Sequence, residues 1–357
     1  MAGLVPALLE LGEPLEIVAL GGSAEAIPRA LTRIDEPPHL PTNLGWTAVG
    51  LPWAASRAGV DLIHAPAYTA PLTARVPTVV TIHDVSYAVH PEWYPYRRDP
   101  FRRAFYRRSA RTAAHVMTVS EFSAGEIVRA YAIPRDRITV APHGASHAFL
   151  PKAAGVEIAL PAGVRPTFLL HIGDLHPRRN LAVVVRAIIE SRREGRLRDP
   201  ISLVLAGVDR GIGDELRRMA AAASLPDLVV CLGAVLDDCL VGLYRAATAL
   251  VYPSRYEGFG LPLLEAMACG TPVIASRAAS IPEVLGDAGI LLDPDDVTGW
   301  GSAIDSVLTD PTRRERMRAA GIKRAEGFTW ARTARLTLDA YRRAVESRAS
   351  VVDHSRV

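Results

Sequence analysis

Glu257 and Glu265 stand eight positions apart in "YEGFGLPLLEAMACGTPVIAS", residues 256–276, with Gly258 and Gly260 between them. Carboxylates accept hydrogen bonds, which suits hydroxyls better than phosphate. The N–H groups at a helix start have the opposite preference, because they donate and the helix dipole favours an anion. Pro262 marks such a start, since first-turn N–H groups have no helical partner, and Gly270 marks a C-terminal stop. The amides of Phe259, Gly260 and Leu261 are then donors to an anion, and Gly258 and Gly260 let the backbone approach it closely. A ligand that needs donors for phosphate beside acceptors for hydroxyls is a nucleotide sugar.

"GDLHPRRN", residues 173–180, supplies a second candidate anion site. It runs from Gly173 at the end of an apolar run to Arg178 and Arg179 at a helix start. Two guanidinium groups there form either a solvated face or a site that neutralises a departing diphosphate, where stabilising a leaving group's charge is what catalysis gains most from. Backbone around "LGAV" (232–235), with Val235 at its end, is positioned to read a base. His83 closes "PTVVTIHD" (77–84), where an imidazole serves either a structural hydrogen bond or a site, and Asp84 orients it or caps the next segment.

The elements that must position these residues alternate short apolar runs with longer helical stretches, the pattern of parallel sheets covered by helices. Strands are expected at 15–21, 61–66, 77–84, 115–120 and 138–144 in the first half. In the second half they are expected at 167–174, 201–208, 229–235, 248–254, 271–276 and 289–294. Residues 150–166 lack a period and are rich in Pro and Gly, which marks a linker. The expected domains are 1–155, completed by a helix at 330–347, and 156–329. In such open sheets ligands sit beyond the carboxyl ends of the strands, where every residue named above falls.

Composition narrows the function classes. A net charge of +3 over 357 residues does not call for nucleic acid. No apolar run is long enough to span a membrane, and the N-terminus carries acids where a signal peptide carries bases, so a cytoplasmic chain is expected. Cys231, Cys239 and Cys269 lack metal-ligand spacing. Asp293-Pro-Asp295 reads as a turn and N-cap before a helix, so no metal requirement is expected. No strand leads into Gly-x-Gly-x-x-Gly with an acid about 20 residues on, which leaves the nicotinamide reading little support.

The stretch "YPSRYEGFGLPLLEAMACGTPVIASRAASIPEVLGDAGILLDPDD" (252–296) resembles the retaining glycosyltransferases of family 4. The likeness extends to residues 76–95, 117–131 and 171–188, and to 328–345, which resembles the family's final helix. It implies the GT-B fold, two facing Rossmann-like α/β domains. It also implies a hexose, mannose first and glucose next, taken from GDP-mannose or UDP-glucose with no further cofactor and passed to a glycan or a lipid-linked acceptor. Under this likeness Glu257 holds sugar hydroxyls, Glu265 the ribose, and the amides of Phe259 to Leu261 the sugar and phosphate oxygens. His83 lies near the reacting carbon and helps position the acceptor.

The chain departs from the family in particular places. Arg179 stands where a Lys is usual, and His143 replaces the commoner Asn before Gly144. The chain also begins inside the family's first helix, so the first strand of the N-terminal domain is expected to be missing. "SEFSAGE" reads as a capping box of Ser123 with Glu126. Seven Arg between 97 and 111, interleaved with Tyr and Phe, form either a solvated face or a contact for anionic lipid at the inner membrane face. The alternatives to catalysis are a non-catalytic nucleotide-binding subunit, or an inactive chain because of the short N-terminus. A sugar-nucleotide epimerase is a third reading, disfavoured by the Glu257 to Glu265 phrase.

Overall fold

A computed structural model describes residues 3–20, 31–34, 45–94, 99–152 and 158–354. It divides into two compact units, Met1–Gly144 with Thr329–Val357, and Ala145–Phe328. The first expected domain boundary was 155/156, which falls at 153–157, outside the described residues. The chain changes units at 144/145, ahead of that stretch.

In the first unit β1 (Val18–Leu20) pairs in parallel with β2 (Thr32–Ile34). A separate parallel sheet has the order β3 (Ile63–Ala65), β4 (Thr78–Thr81), β5 (His115–Thr118) and β6 (Ile138–Val140). Ala340 and Ala344 of the final helix, Trp330–His354, pack on Val79 and Met117 of this sheet. Small residues let the helix lie close, and His64 on β3 ties it down through a 2.7 Å contact between Nδ1 and the Tyr341 hydroxyl. The Leu4–Leu9 helix packs on the same final helix.

Among its described residues the second unit holds one six-stranded parallel sheet in the order β12 (Ile290–Leu292), β11 (Val273–Ser276), β10 (Ala249–Tyr252), β7 (Phe168–Ile172), β8 (Ser202–Ala206) and β9 (Val229–Gly233). The first strand of the unit lies beside the fourth, so the chain winds outward to one side and then to the other, the doubly wound Rossmann order. These strands read as unbroken apolar runs because helices cover both faces. Leu169, Leu203, Val251 and Ile274 are fully buried in its core with Trp300.

Each strand expected from the sequence is present, within shorter bounds. β2 was not expected, because "TRI" is short and lies among charged residues. The expected capping box is corrected. The helix is Glu121–Tyr131, and its cap is Ser120, whose hydroxyl accepts from the Ser123 N–H at 3.0 Å. Ser123 instead donates to the His83 carbonyl at 3.0 Å, and Glu126 pairs with Arg129. Asp293 forms the expected turn by accepting from the Asp295 N–H, while the N-cap of the Val297–Thr309 helix is Asp296.

Candidate functional site

In the second unit the strand order reverses between β7 and β10, and the loops leaving these two strands part to opposite sides. A crevice at such a reversal is where open α/β sheets bind ligands. The β7 loop carries Gly173, Arg178 and Arg179, and the β10 loop carries Glu257 to Gly260, so the two sequence phrases converge. Main chain ties them, with the Arg255 N–H donating to the Arg178 carbonyl at 2.9 Å.

Gly173 leaves β7 with a φ of 126°, a conformation that a side chain disfavours, and a Cβ there would stand 3.0 Å from the Arg179 Nη2. The guanidinium therefore lies over bare backbone. Pro177–Arg179 forms a single 3-10 turn, started by the His176 ring accepting from the Arg178 N–H at 3.3 Å. Arg179 is turned inward, 8% exposed. It donates to the Glu257 carboxylate, to the Tyr252 hydroxyl at 2.7 Å and to Ser254 Oγ at 3.4 Å. Burial opposes the charge of Arg179, but Tyr252 and Glu257 more than offset it and hold the guanidinium protonated. Its Nε is buried without a hydrogen-bond partner among the described residues.

Glu257 is 6% exposed. Its Oε1 meets Arg179, whereas its Oε2 stands 3.6 Å from Arg178 Nη1. That Arg178 nitrogen also donates to the Tyr256 carbonyl at 3.1 Å. The turn through Glu257 and Phe259 is held from below by the Ser280 hydroxyl, which donates to both of their carbonyls at 2.8 and 3.1 Å. Gly260 then starts the Leu261–Cys269 helix from the left-handed region, at φ 100°, and no side chain caps it. Pro262 opens this helix and Gly270 closes it, as expected. Gly258, Phe259 and Gly260 are buried, and Leu261 is exposed.

Glu265 lies one turn into that helix and accepts from the Tyr244 hydroxyl at 2.8 Å. Burial pushes the Glu265 carboxyl above its usual range, against the lowering effect of that hydrogen bond. Val235 lies on the loop after β9, at the same sheet edge but two strands away from β7. The two arginines and Glu257 are thus assembled beside the 258–260 turn, Glu265 follows one turn into the helix on Tyr244, and Val235 lies at the margin. Sequence reasoning missed the groups that hold them, Tyr252, Ser254, Ser280 and Tyr244. Tyr252 and Ser254 do end the strand-like "TALVYPS", but nothing local marks Tyr244 as a partner of Glu265.

His83 belongs to the first unit, two residues beyond β4. Its Nε2 donates to the Pro66 carbonyl at 3.2 Å, leaving Nδ1 as the acceptor. Burial lowers its pKa, against the raising effect of the Pro66 hydrogen bond and of Asp84, which favours the neutral ring. The ring meets Tyr68 and His143 at centroid distances of 5.9 and 5.5 Å. Asp84 accepts from the Ser86 N–H at 2.8 Å and so caps the next segment. Among the described residues no group of three His, Cys, Asp or Glu is placed to hold a metal ion. Nor is any described helix long and apolar enough to cross a membrane.

Comparison with known proteins matches residues 159–324 to the family described as Glycosyl transferases group 1, and residues 1–149 to Glycosyltransferase Family 4. The O-antigen chain mannosyltransferase B of Escherichia coli is 36% identical over 274 residues, covering 74% of this chain and 70% of that protein. Among solved structures, a glycosyltransferase from Rickettsia africae superposes with a TM-score of 0.70 at 17% identity, covering 96% of this chain and 94% of that one. Anabaena HepE in complex with UDP and glucose gives a TM-score of 0.65 at 20% identity, covering 84% and 83%. At such identities the structures speak for the fold, and these are of the GT-B type.

Proposed function

The chain belongs to the family 4 glycosyltransferases, with the GT-B fold, and from that premise we propose that it moves a hexose from a nucleotide diphosphate sugar to a hydroxyl of a glycan or glycolipid. Transfer is with retention at the anomeric carbon and without a metal ion. The observation that carries this reading is the Arg179 and Glu257 pair at the strand-order reversal, with Arg178 beside it. The pair fixes the orientation of the Glu257 side chain, whose Oε2 accepts from donor-sugar hydroxyls. Arg178, the more exposed of the two, faces the diphosphate, and the buried Arg179 adds its charge from behind. The unblocked start of the Leu261–Cys269 helix adds N–H donors, and Glu265 takes the ribose hydroxyls.

The reaction breaks the bond between the anomeric carbon and the diphosphate oxygen. It forms one from the same carbon to the acceptor oxygen, on the same face. The acceptor proton passes to the departing diphosphate, whose charge the arginines stabilise. No side chain of the second-unit cluster is set up as a nucleophile, because Glu257 is occupied by Arg179. His83, neutral and with Nδ1 as acceptor, positions the sugar or the acceptor hydroxyl.

Mannose from GDP-mannose is the first choice of donor, supported by the name of the Escherichia coli relative. UDP-glucose is next, in line with the ligands of HepE. An acceptor on a lipid carrier suits a chain that works at an anionic surface. The Pro100–Thr112 helix supports such a contact, because Arg102, Arg107, Arg108 and Arg111 are exposed and Phe101 is 83% exposed beside them. Tyr96, Arg97 and Arg98 of that stretch lie outside the described residues. The test is release of nucleotide from GDP-mannose and from UDP-glucose with a mixed glycan acceptor, with and without EDTA, followed by the anomeric configuration of the product. Inversion, or turnover that EDTA abolishes, would overturn the corresponding part of this reading.

A further inference from the structure

At the opposite ends of the second-unit strands, just before β10 and β11, lies a cleft of about 420 Å³. Three guanidinium groups line it. Arg245 comes from the last turn of the Asp237–Ala246 helix, and Arg314 and Arg318 come from one face of the Pro311–Ala325 helix, four positions apart. Glu315 is the one carboxylate in the lining.

This is an arginine-rich chain, so the comparison that matters is with its other arginines. In the same unit Arg179, Arg196, Arg210, Arg217 and Arg255 pair with carboxylates, whereas Arg192 and Arg324 also lack an ion pair among the described residues and hold main-chain carbonyls, so it is convergence on one cleft that sets the three apart. None of the three in the cleft forms an ion pair among the described residues. Two are held by main chain instead. Arg245 Nε donates to the Leu150 carbonyl at 2.8 Å, and Arg314 Nη1 donates to the carbonyls of Val307 and Leu308 at 2.7 and 2.9 Å. Arg318 lies flat along the backbone of Gly270, where a Cβ would stand 3.1 Å from its Nη1. Three guanidinium groups against one carboxylate leave the concavity positive, which favours an anion. A guanidinium fork presents two parallel donors that match phosphate oxygens, and the volume is that of a small-molecule site.

We infer that this cleft binds a small phosphate-bearing molecule, with Arg314 and Arg318 contacting the phosphate oxygens and Arg245 adding charge. The cleft adjoins Gly270 at the C-terminal end of the Leu261–Cys269 helix, whereas Glu257 lies just before its N-terminal end. It is therefore separate from the donor site proposed above, and the inference does not depend on that site.

The test is isothermal titration of inorganic phosphate and, separately, of a hexose 6-phosphate into the full chain and its Arg318→Ala, Arg318→Lys and Glu315→Gln variants. Thermal melts check that each variant is folded. Binding by the wild type, weakened roughly tenfold or more in Arg318→Ala, is expected, since a charged hydrogen bond is worth about 1.5–3 kcal/mol. Arg318→Lys is expected to retain part of the affinity, and Glu315→Gln to gain some. Tighter binding of the hexose phosphate would identify an organic ligand, and tighter binding of inorganic phosphate the free anion. Absence of binding in the wild type would overturn the inference. So would equal affinity in all four proteins, which would place the anion elsewhere.

Discussion

Arg179 and Glu257, 78 positions apart, form a buried ion pair between the loops that leave β7 and β10. With side chains 10% and 7% exposed, neither charge has water to fall back on. Removing one partner strands the other, at a cost of about 3–5 kcal/mol. Arg179→Met and Glu257→Gln are each expected to lose that order of stability in urea unfolding, and the double variant less than the two losses together. Additive losses would mean that the two charges are not coupled.

Gly173 bears on the same pair. Alanine there must adopt a φ of 126° and places its Cβ 3.0 Å from the Arg179 guanidinium. A cost of about 1–2 kcal/mol is expected from backbone strain alone. Displacement of the guanidinium is also expected to weaken nucleotide binding, so Gly173→Ala should lose affinity even under conditions where it is fully folded. Unchanged affinity would show that the position of Arg179 does not matter to the ligand.

The buried histidines predict a stability profile. Burial, followed by nearby positive charge, lowers the His64 pKa to about 4. Its Nε2 meets Thr81 Oγ1 at 2.8 Å, as Nδ1 meets Tyr341. Between pH 6.5 and about 4 the unfolded chain takes up a proton that the folded chain refuses, so stability is full above pH 6.5 and falls as pH drops through that window. The loss from this one residue is of the order of 3 kcal/mol at pH 4. His64→Gln, which keeps hydrogen-bonding capacity without titrating, is expected to be less acid-sensitive by about that amount in urea unfolding at pH 7 and pH 4.

Glu265 behaves in the opposite sense to a paired acid. Its carboxyl is raised by burial and pulled back by Tyr244. Nucleotide affinity is expected to fall as pH drops through the Glu265 titration, because the protonated acid accepts fewer hydrogen bonds from a ribose. In Tyr244→Phe the fall is expected to begin at higher pH. Coincident profiles for the two proteins would argue that Glu265 does not touch the ligand.

The Pro100–Thr112 helix gives a surface prediction. Cosedimentation with vesicles of anionic lipid is expected, with little binding to zwitterionic vesicles and loss of binding in high salt. Arg107→Glu with Arg111→Glu should abolish it, and Phe101→Ala should weaken it. Binding that ignores lipid charge would contradict an electrostatic contact.

The legible parts of this molecule are those with a local cause. Strands such as Phe168–Ile172 and Ala249–Tyr252 are apolar runs ended by glycine, proline or polar residues, and the limits of the Leu261–Cys269 helix are written in Pro262 and Gly270. Arg179 and Glu257 were readable as candidates because each sits in a strand-to-helix turn. Their mutual pairing was not, since it depends on β7 and β10 becoming neighbours, and nothing local encodes that. The same holds for Tyr244 on Glu265 and for Ser280 beneath the Glu257 turn. The misplaced cap had a different origin. Ser120 and Ser123 are both competent caps, and only the end of β5 at Thr118 decides in favour of Ser120.

An intact donor site on the second unit must bind a nucleotide by itself. Isothermal titration of GDP, UDP and ADP into the purified chain and into Glu265→Ala tests it most directly. One nucleotide is expected to bind at micromolar concentration, weakened roughly tenfold or more by the substitution, the loss expected for a hydrogen bond to a charged group. If a chain shown to be folded binds none of the three, or binds one equally well without Glu265, the donor-site assignment fails.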